Sequence, residues 1–141
     1  MLVRLMYASH LAADAACDVT QIIMQQSQAN NPRLGITGVL CHSDRAFMQV
    51  IEGGRQNINA LYAKIMQDRR HTDVMLLHYE EITERKYAGW TMGHVNLLKV
   101  NPSILLRFSE LPGLDPHAMS GPNSIALIDD LIAAAAVIGR S

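Results

Sequence analysis

Phe47-Met48-Gln49-Val50-Ile51-Glu52-Gly53-Gly54 is the stretch from which the fold of this chain is read. Phe47 to Ile51 reads as a buried strand that Gly53-Gly54 brings to an end. Side chains alternate across a strand, so Gln49 points the same way as Phe47 and Ile51, onto an apolar face. A primary amide there has two N–H donors and a carbonyl oxygen to place, and leaving them unpaired costs about 1–3 kcal/mol. Either backbone groups of the fold or a polar ligand must satisfy it. Val3-Arg4-Leu5-Met6-Tyr7 has the same form, with the Tyr7 phenol on the face of Val3 and Leu5. If the two strands are neighbours in one sheet, a hydroxyl and an amide meet on that face beside a ligand.

Working outward, the first strand is followed by a helical pattern in which Val19, Ile22, Ile23 and Gln26 share one face. Asp18 with Gln21 forms a capping box, and Asn30-Asn31-Pro32 is expected to stop the helix. Leu34 to Cys41 reads as a strand in which Gly35 and Gly38 allow close backbone approach. His42 to Arg45 is a polar hairpin loop leading into the Gln49 strand. After Gly54, Ile58, Leu61, Tyr62, Ile65, Met66 and Arg69 recur at helical spacing. Val74 to Ile82 is the next strand, Arg85 to Gly89 a connection, and Trp90 to Leu97 a last strand with Trp90, Met92 and His94 on one face. The order βαββαββ predicts an α+β, ferredoxin-like mixed sheet with two helices on one face. Residues 98–141 read as a helical extension: a short helix beginning at Pro102, then an apolar helix from Ser124 to Ile138 ended by Gly139. That last helix is too apolar for a free surface position and is expected to cover the other face of the sheet.

The chain's 141 residues suit one domain with a real core. A formal net charge of −1 with no charged run argues against nucleic acid or an anionic membrane as partner. Cys17 and Cys41 make no metal-binding or CxxC spacing, and no signal peptide precedes the first strand, so a reduced, cytoplasmic protein is expected. The six histidines form no paired-ligand motif, which argues against a metal site. A GxGxxG loop after a strand is lacking, so a dinucleotide here would not be held in the Rossmann manner.

Six segments in order resemble the BLUF family of flavin-binding blue-light sensors. They are Leu5-Met6-Tyr7-Ala8-Ser9, Ser27-Gln28-Ala29-Asn30-Asn31, Gly35-Ile36-Thr37-Gly38-Val39-Leu40, Phe47 through Gly53, Gln67-Asp68-Arg69-Arg70-His71, and Gly89-Trp90-Thr91-Met92. The resemblance covers residues 1–97 and implies FAD, with FMN the other admissible flavin, lying between the two helices over the sheet. It implies that Tyr7 is the photoactive tyrosine and Gln49 the switching glutamine, with Trp90 and Met92 the pair that exchange places near it. It implies Asn31 as donor to the flavin pyrimidine edge and Ile23 and Ile65 as residues packing on the ring. Lys64, Asp68, Arg70 and His71 fall near the ribityl-phosphate side, and Ser27, Asn30 and Phe47 complete the flavin-contacting set. Lys64 stands where the family often has arginine, keeping the charge without the bidentate fork.

The resemblance further implies a photoreceptor without turnover, signalling through a Tyr/Gln hydrogen-bond switch. Because the sequence stops soon after the tail helix, output is expected through an effector protein in trans, with a homo-oligomer. A small flavin-dependent or hydrolytic ferredoxin-like enzyme is the alternative, but no Ser/His/Asp or Cys/His set supports it. A regulatory module binding something other than flavin is the third reading; each of these residues also has an ordinary reading as core or helix end.

Overall fold

The computed structural model of the protein describes residues 1–13, 19–111, 113 and 115–134. Strand β1 (Leu2–Leu11) leads to helix α1 (Val19–Leu34), the hairpin β2 (Thr37–His42) and β3 (Ala46–Gly54), helix α2 (Arg55–Gln67), β4 (His71–Ile82) and β5 (Gly93–Asn96). Helices α3 (Pro102–Leu106) and α4 (Gly121–Ala133) follow. The sheet order is β4-β1-β3-β2-β5. All neighbours are antiparallel except β2 and β5, which run parallel. The first four strands make the split βαβ of a ferredoxin-like fold, and β5 extends it beyond β2.

Strand alternation divides the core in two. Val3, Leu5, Tyr7, Leu40, Phe47 and Ile51 face α1 and α2, packing with Met24 and Ile58. Met6, Val39, Cys41, Met48 and Val50 face the other way and are covered by Leu105 of α3 and Leu127, Ile128 and Leu131 of α4. The expected C-terminal cover on the second face is therefore present.

Several element boundaries differ from the sequence reading. Helix α1 does not stop at Asn30-Asn31-Pro32 but runs to Leu34 with Pro32 inside it. Proline forfeits one intrahelical bond there, and the end is sealed by a Schellman turn. Ile36 N–H donates to the Asn31 carbonyl (3.0 Å) and Gly35 N–H to that of Pro32 (3.2 Å), with Gly35 at φ +65°. Gly35 is thus a helix cap rather than a strand residue. Gly38 does allow close approach, since a Cβ there would lie 2.0 Å from the Val50 carbonyl oxygen. The inner face of α1 carries Val19, Met24 and Asn31, while Ile22 is exposed, so the stripe is turned from the expected one. In α2, Ile58 is buried but Met66 is exposed, and Arg69 lies beyond the helix end.

Trp90 and Met92 precede β5 rather than belonging to it. They do not share a face: Met92 packs into the α1/α2 cluster and Trp90 against the opposite one. Helix α4 starts three residues earlier than expected because Ser120 caps it, accepting from Asn123 N–H (3.1 Å), and Pro122 is accommodated in the first turn. At its other end α4 stops at Ala133, with Ala134 as the C-cap, short of the expected Ile138; the expected Asp18 cap and Gly139 lie outside the described residues.

Candidate functional site

Tyr7 and Gln49 are direct partners in the antiparallel β1–β3 register, so both side chains rise from the same spot on the helix-covered face. The Tyr7 hydroxyl donates to Gln49 Oε1 at 2.5 Å. Gln49 Nε2 in turn donates to Met92 Sδ at 3.2 Å. All three are buried: Tyr7 is 1% exposed, Gln49 4% and Met92 0%. Burial pushes the Tyr7 phenol pKa up, with Tyr62 and Asp68 adding to the effect, so the hydroxyl is a neutral donor at ordinary pH. An amide donates from one end and accepts at the other, so rotating it exchanges what each neighbour sees.

A cavity of about 290 Å³ opens beside this pair. Ile23, Ser27, Asn30 and Asn31 line it from α1, Leu61, Lys64 and Ile65 from α2, and Asp68, Arg70 and His71 from the turn into β4. The Asn31 side chain is 3% exposed, and its Nδ2 is buried without an acceptor. Burial holds the His71 imidazole below its usual pKa, with Asp68 opposing and Arg70 assisting. His71 Nδ1 lies 2.8 Å from Ser9 Oγ, and its ring packs edge-on to Tyr7. The Asp68 carboxylate is held below the usual range by the Arg70 guanidinium, whose Nη1 also donates across to Gln26 Oε1 on α1 at 3.1 Å.

A wider and more open depression of about 930 Å³ lies near the β2–β3 turn. There His10 already meets the Asp73 carboxylate (3.2 Å) and His117 the Asp73 carbonyl (2.8 Å). The smaller cavity is the better candidate because it is more enclosed and is lined by Asn31, whose buried Nδ2 has no partner. Among the described residues, no group of three or more His, Cys, Asp and Glu side chains is placed to hold a metal ion.

Every cofactor-contact residue named from the sequence lines this cavity except Phe47, which is buried behind it with its ring 5.2 Å from that of His71. Met92 meets the site through Gln49, whereas Trp90 lies on the other side of the sheet. Gln26, Arg33, Leu34 and Leu61 also line the cavity and were missed. Gln26 and Leu61 stood in the helical patterns already drawn; Arg33 and Leu34 were hidden by the assumption that Asn-Asn-Pro ends the helix. The donor set suits a flavin: branched aliphatic walls for a flat ring, amides for its polar edge, and cations at the exposed rim for phosphate.

The comparisons with known proteins agree with this geometry. The family profile described as sensors of blue-light using FAD matches residues 2–93. Photoactivated adenylate cyclase subunit beta of Euglena longa is 44% identical over 71 residues, half of this chain but 8% of that protein. Subunit alpha of Euglena gracilis is 32% identical over 105 residues, 72% of this chain and 10% of that protein. The chain thus spans a tenth or less of the length of these curated relatives. Among solved structures, BlsA in its photo-activated state superposes with a TM-score of 0.82 at 29% identity, covering 94% of this chain and 95% of the other. The dark state of BlrB gives 0.78 at 30% identity over 95% and 96%. A sheet that seats a phenol against an amide beside a ligand cavity, matched over this length, places the chain in the BLUF family of blue-light sensors that use FAD.

Proposed function

We propose that Tyr7 and Gln49 form the light switch of this photoreceptor, that residues 1–97 are its flavin-binding sensor, and that residues 98–141 carry the signal to a separate effector protein. The observation behind the reading is the buried relay from Tyr7 through Gln49 to Met92. A flavin bound in the cavity supplies the blue-light absorption and, once excited, the pull for an electron. Tyr7 would be the donor: its electron would pass to the flavin, while its Oη proton, directed at Gln49 Oε1, could move to that oxygen. Gln49 is left rotated or tautomerised, which withdraws the Nε2–H that Met92 Sδ accepts. The low polarity around the pair keeps water from competing for these bonds.

The remaining assignments follow from position. Asn31 Nδ2 is the donor for the flavin's pyrimidine edge. Ile23 and Ile65 flank the ring, and Ser27 lines the same cavity. Lys64 and Arg70, with Asn30 on the same rim, face the phosphate side, and Asp68 orients Arg70. Phe47 supports the site from behind through His71. Trp90 acts as the outer member of the pair with Met92.

No turnover by this chain is required. The cyclase activity in the relatives' names belongs to proteins of which it spans a tenth or less. Leu98 (67% exposed), Leu106 (50%) and Leu111 (70%) present apolar surface on the extension, which suits a protein effector in trans and a homo-oligomer. No described helix is long and apolar enough to cross a membrane. Cys41 is a free buried thiol whose pKa burial pushes up to about 12, in keeping with a cytoplasmic setting.

Light-minus-dark spectra of the unsubstituted protein, Gln49→Leu and Tyr7→Phe test the switch. The unsubstituted protein should show a small reversible red shift, and both variants should keep their flavin and lose it. A normal shift in either variant would reject the assignment.

A further inference from the structure

The segment that delivers Met92 to Gln49, residues 83–92, is irregular and is not itself a strand. It is nonetheless held at three levels. Near its start, the Glu52 carboxylate, 0% exposed, accepts Lys86 N–H (3.1 Å) and Tyr87 N–H (2.8 Å). The same carboxylate accepts from Arg4 through Nε (2.8 Å) and Nη2 (2.7 Å). Midway, Trp90 N–H donates to the Tyr87 carbonyl (3.0 Å) and Gly38 N–H to the Trp90 carbonyl (2.8 Å). At its end, Met92 Sδ receives the Gln49 amide.

The side chains of Lys86 and Tyr87 then reach out of this frame to one residue of α4. The Tyr87 hydroxyl donates to Asp129 Oδ1 at 3.0 Å, and Lys86 Nζ to Asp129 Oδ2 at 2.8 Å. Each carboxylate oxygen of Asp129 is therefore engaged by one of two adjacent residues of the segment. Tyr87 is 1% exposed and burial pushes its phenol pKa up, with Asp129 adding to the effect, so it remains a donor at ordinary pH. Leu127, Ile128 and Leu131 suffice to bury α4 on the sheet, but apolar packing tolerates sliding. The paired grip at Asp129 fixes both the axial position and the rotation of the helix against the segment.

We infer that Asp129 is a positioning residue for the switch: through Lys86 and Tyr87 it sets where the segment places Met92 against Gln49. The inference rests on the Gln49 reading above. Coupling of this kind is reciprocal, so a partner that displaces α4 changes the resting state of the switch as much as the switch displaces α4.

The test compares the flavin-loaded full chain with Asp129→Asn, Asp129→Ala, Tyr87→Phe and the Tyr87→Phe/Asp129→Ala double variant. Asp130→Asn is the control: its carboxylate pairs instead with Arg107 (3.0 Å). Trp90 is the sole tryptophan, so its emission reports on the segment in the dark, independently of photochemistry. The Asp129 variants and Tyr87→Phe should shift that emission and change the dark-recovery rate about threefold or more, a size typical of such couplings. The double variant should do no more than the larger single one, and Asp130→Asn should do neither. Unchanged emission and recovery in folded Asp129→Asn or Asp129→Ala, an equal effect from Asp130→Asn, or additive single effects would overturn the inference. If the unsubstituted protein shows no light-induced shift, the Gln49 reading fails, while the dark emission still decides whether Asp129 positions the segment.

Discussion

Replacing Glu52 by leucine should come close to unfolding the protein, although the residue touches neither Tyr7 nor the cavity. Glu52 is 0% exposed, and its partner Arg4 has a side chain only 7% exposed. Without the carboxylate, Arg4 keeps the Tyr87 ring beneath its guanidinium and, as its remaining ion-pair partner, Glu80, whose side chain is 39% exposed and in contact with water. Leaving one member of a buried pair uncompensated costs about 3–5 kcal/mol. The Tyr87 N–H loses its acceptor in a buried place, which adds about 1–3 kcal/mol. A domain of this size is held by roughly 5–15 kcal/mol, so the loss consumes much of the total. Adding Arg4→Met to Glu52→Leu removes the stranded charge and should recover most of the first contribution while leaving the second. Urea unfolding followed by far-UV circular dichroism, at one fixed FAD concentration so that ligand linkage is constant, measures both variants. A cost below about 1 kcal/mol for Glu52→Leu, or a double variant less stable than the single, would refute the reasoning.

Other perturbations have definite expected outcomes. Gly38→Ala places a Cβ 2.0 Å from the Val50 carbonyl at φ +157°, so β2 and β3 must part beside Gln49; we expect a loss of about 2–4 kcal/mol of unfolding free energy, measured in urea. For His71, burial lowers the folded-state pKa below the ordinary 6.5, so its neutral form is the one the fold favours. Its contribution is fully present above the ordinary value and is lost as pH falls through the folded one. Thermal midpoints between about pH 8 and pH 5 should therefore fall toward acid, and less so in His71→Gln. Gly121→Ala gains helix propensity of up to about 1 kcal/mol but sets a Cβ 2.8 Å from His78 and 2.9 Å from the Leu77 carbonyl. The clash should win, and amide exchange at Leu127 and Ile128 should quicken.

Tyr7 and Gln49 were legible because a strand has only two faces: each is an odd polar group in an otherwise apolar alternation. Their meeting was a conditional reading, and the β1–β3 register supplied the condition. The end of α1 was not legible, because Pro32 reads locally as a stop while the turn sealed by Gly35 is a property of the residues after it. Arg33 and Leu34 were lost from the site with it. Arg4 and Glu52 fall on the strand faces opposite Tyr7 and Gln49 and drew no reading from the sequence. Nothing local shows that they are cross-strand partners, or that the 83–92 connection and the tail would bury them. Trp90 and Met92 fit a strand pattern, but the strand begins at Gly93, and the irregular backbone before it lets them point to opposite sides of the sheet.

The Schellman turn at Gly35 has a consequence for the neighbouring cavity. The main-chain N–H groups of Gly35 and Ile36 satisfy the Pro32 and Asn31 carbonyls, and the buried Asn31 Nδ2 is left without an acceptor. A ligand that offers an acceptor to this buried amide would remove the cost of about 1–3 kcal/mol that an unpaired one carries. Occupancy of the cavity would therefore be linked to the stability of the whole fold.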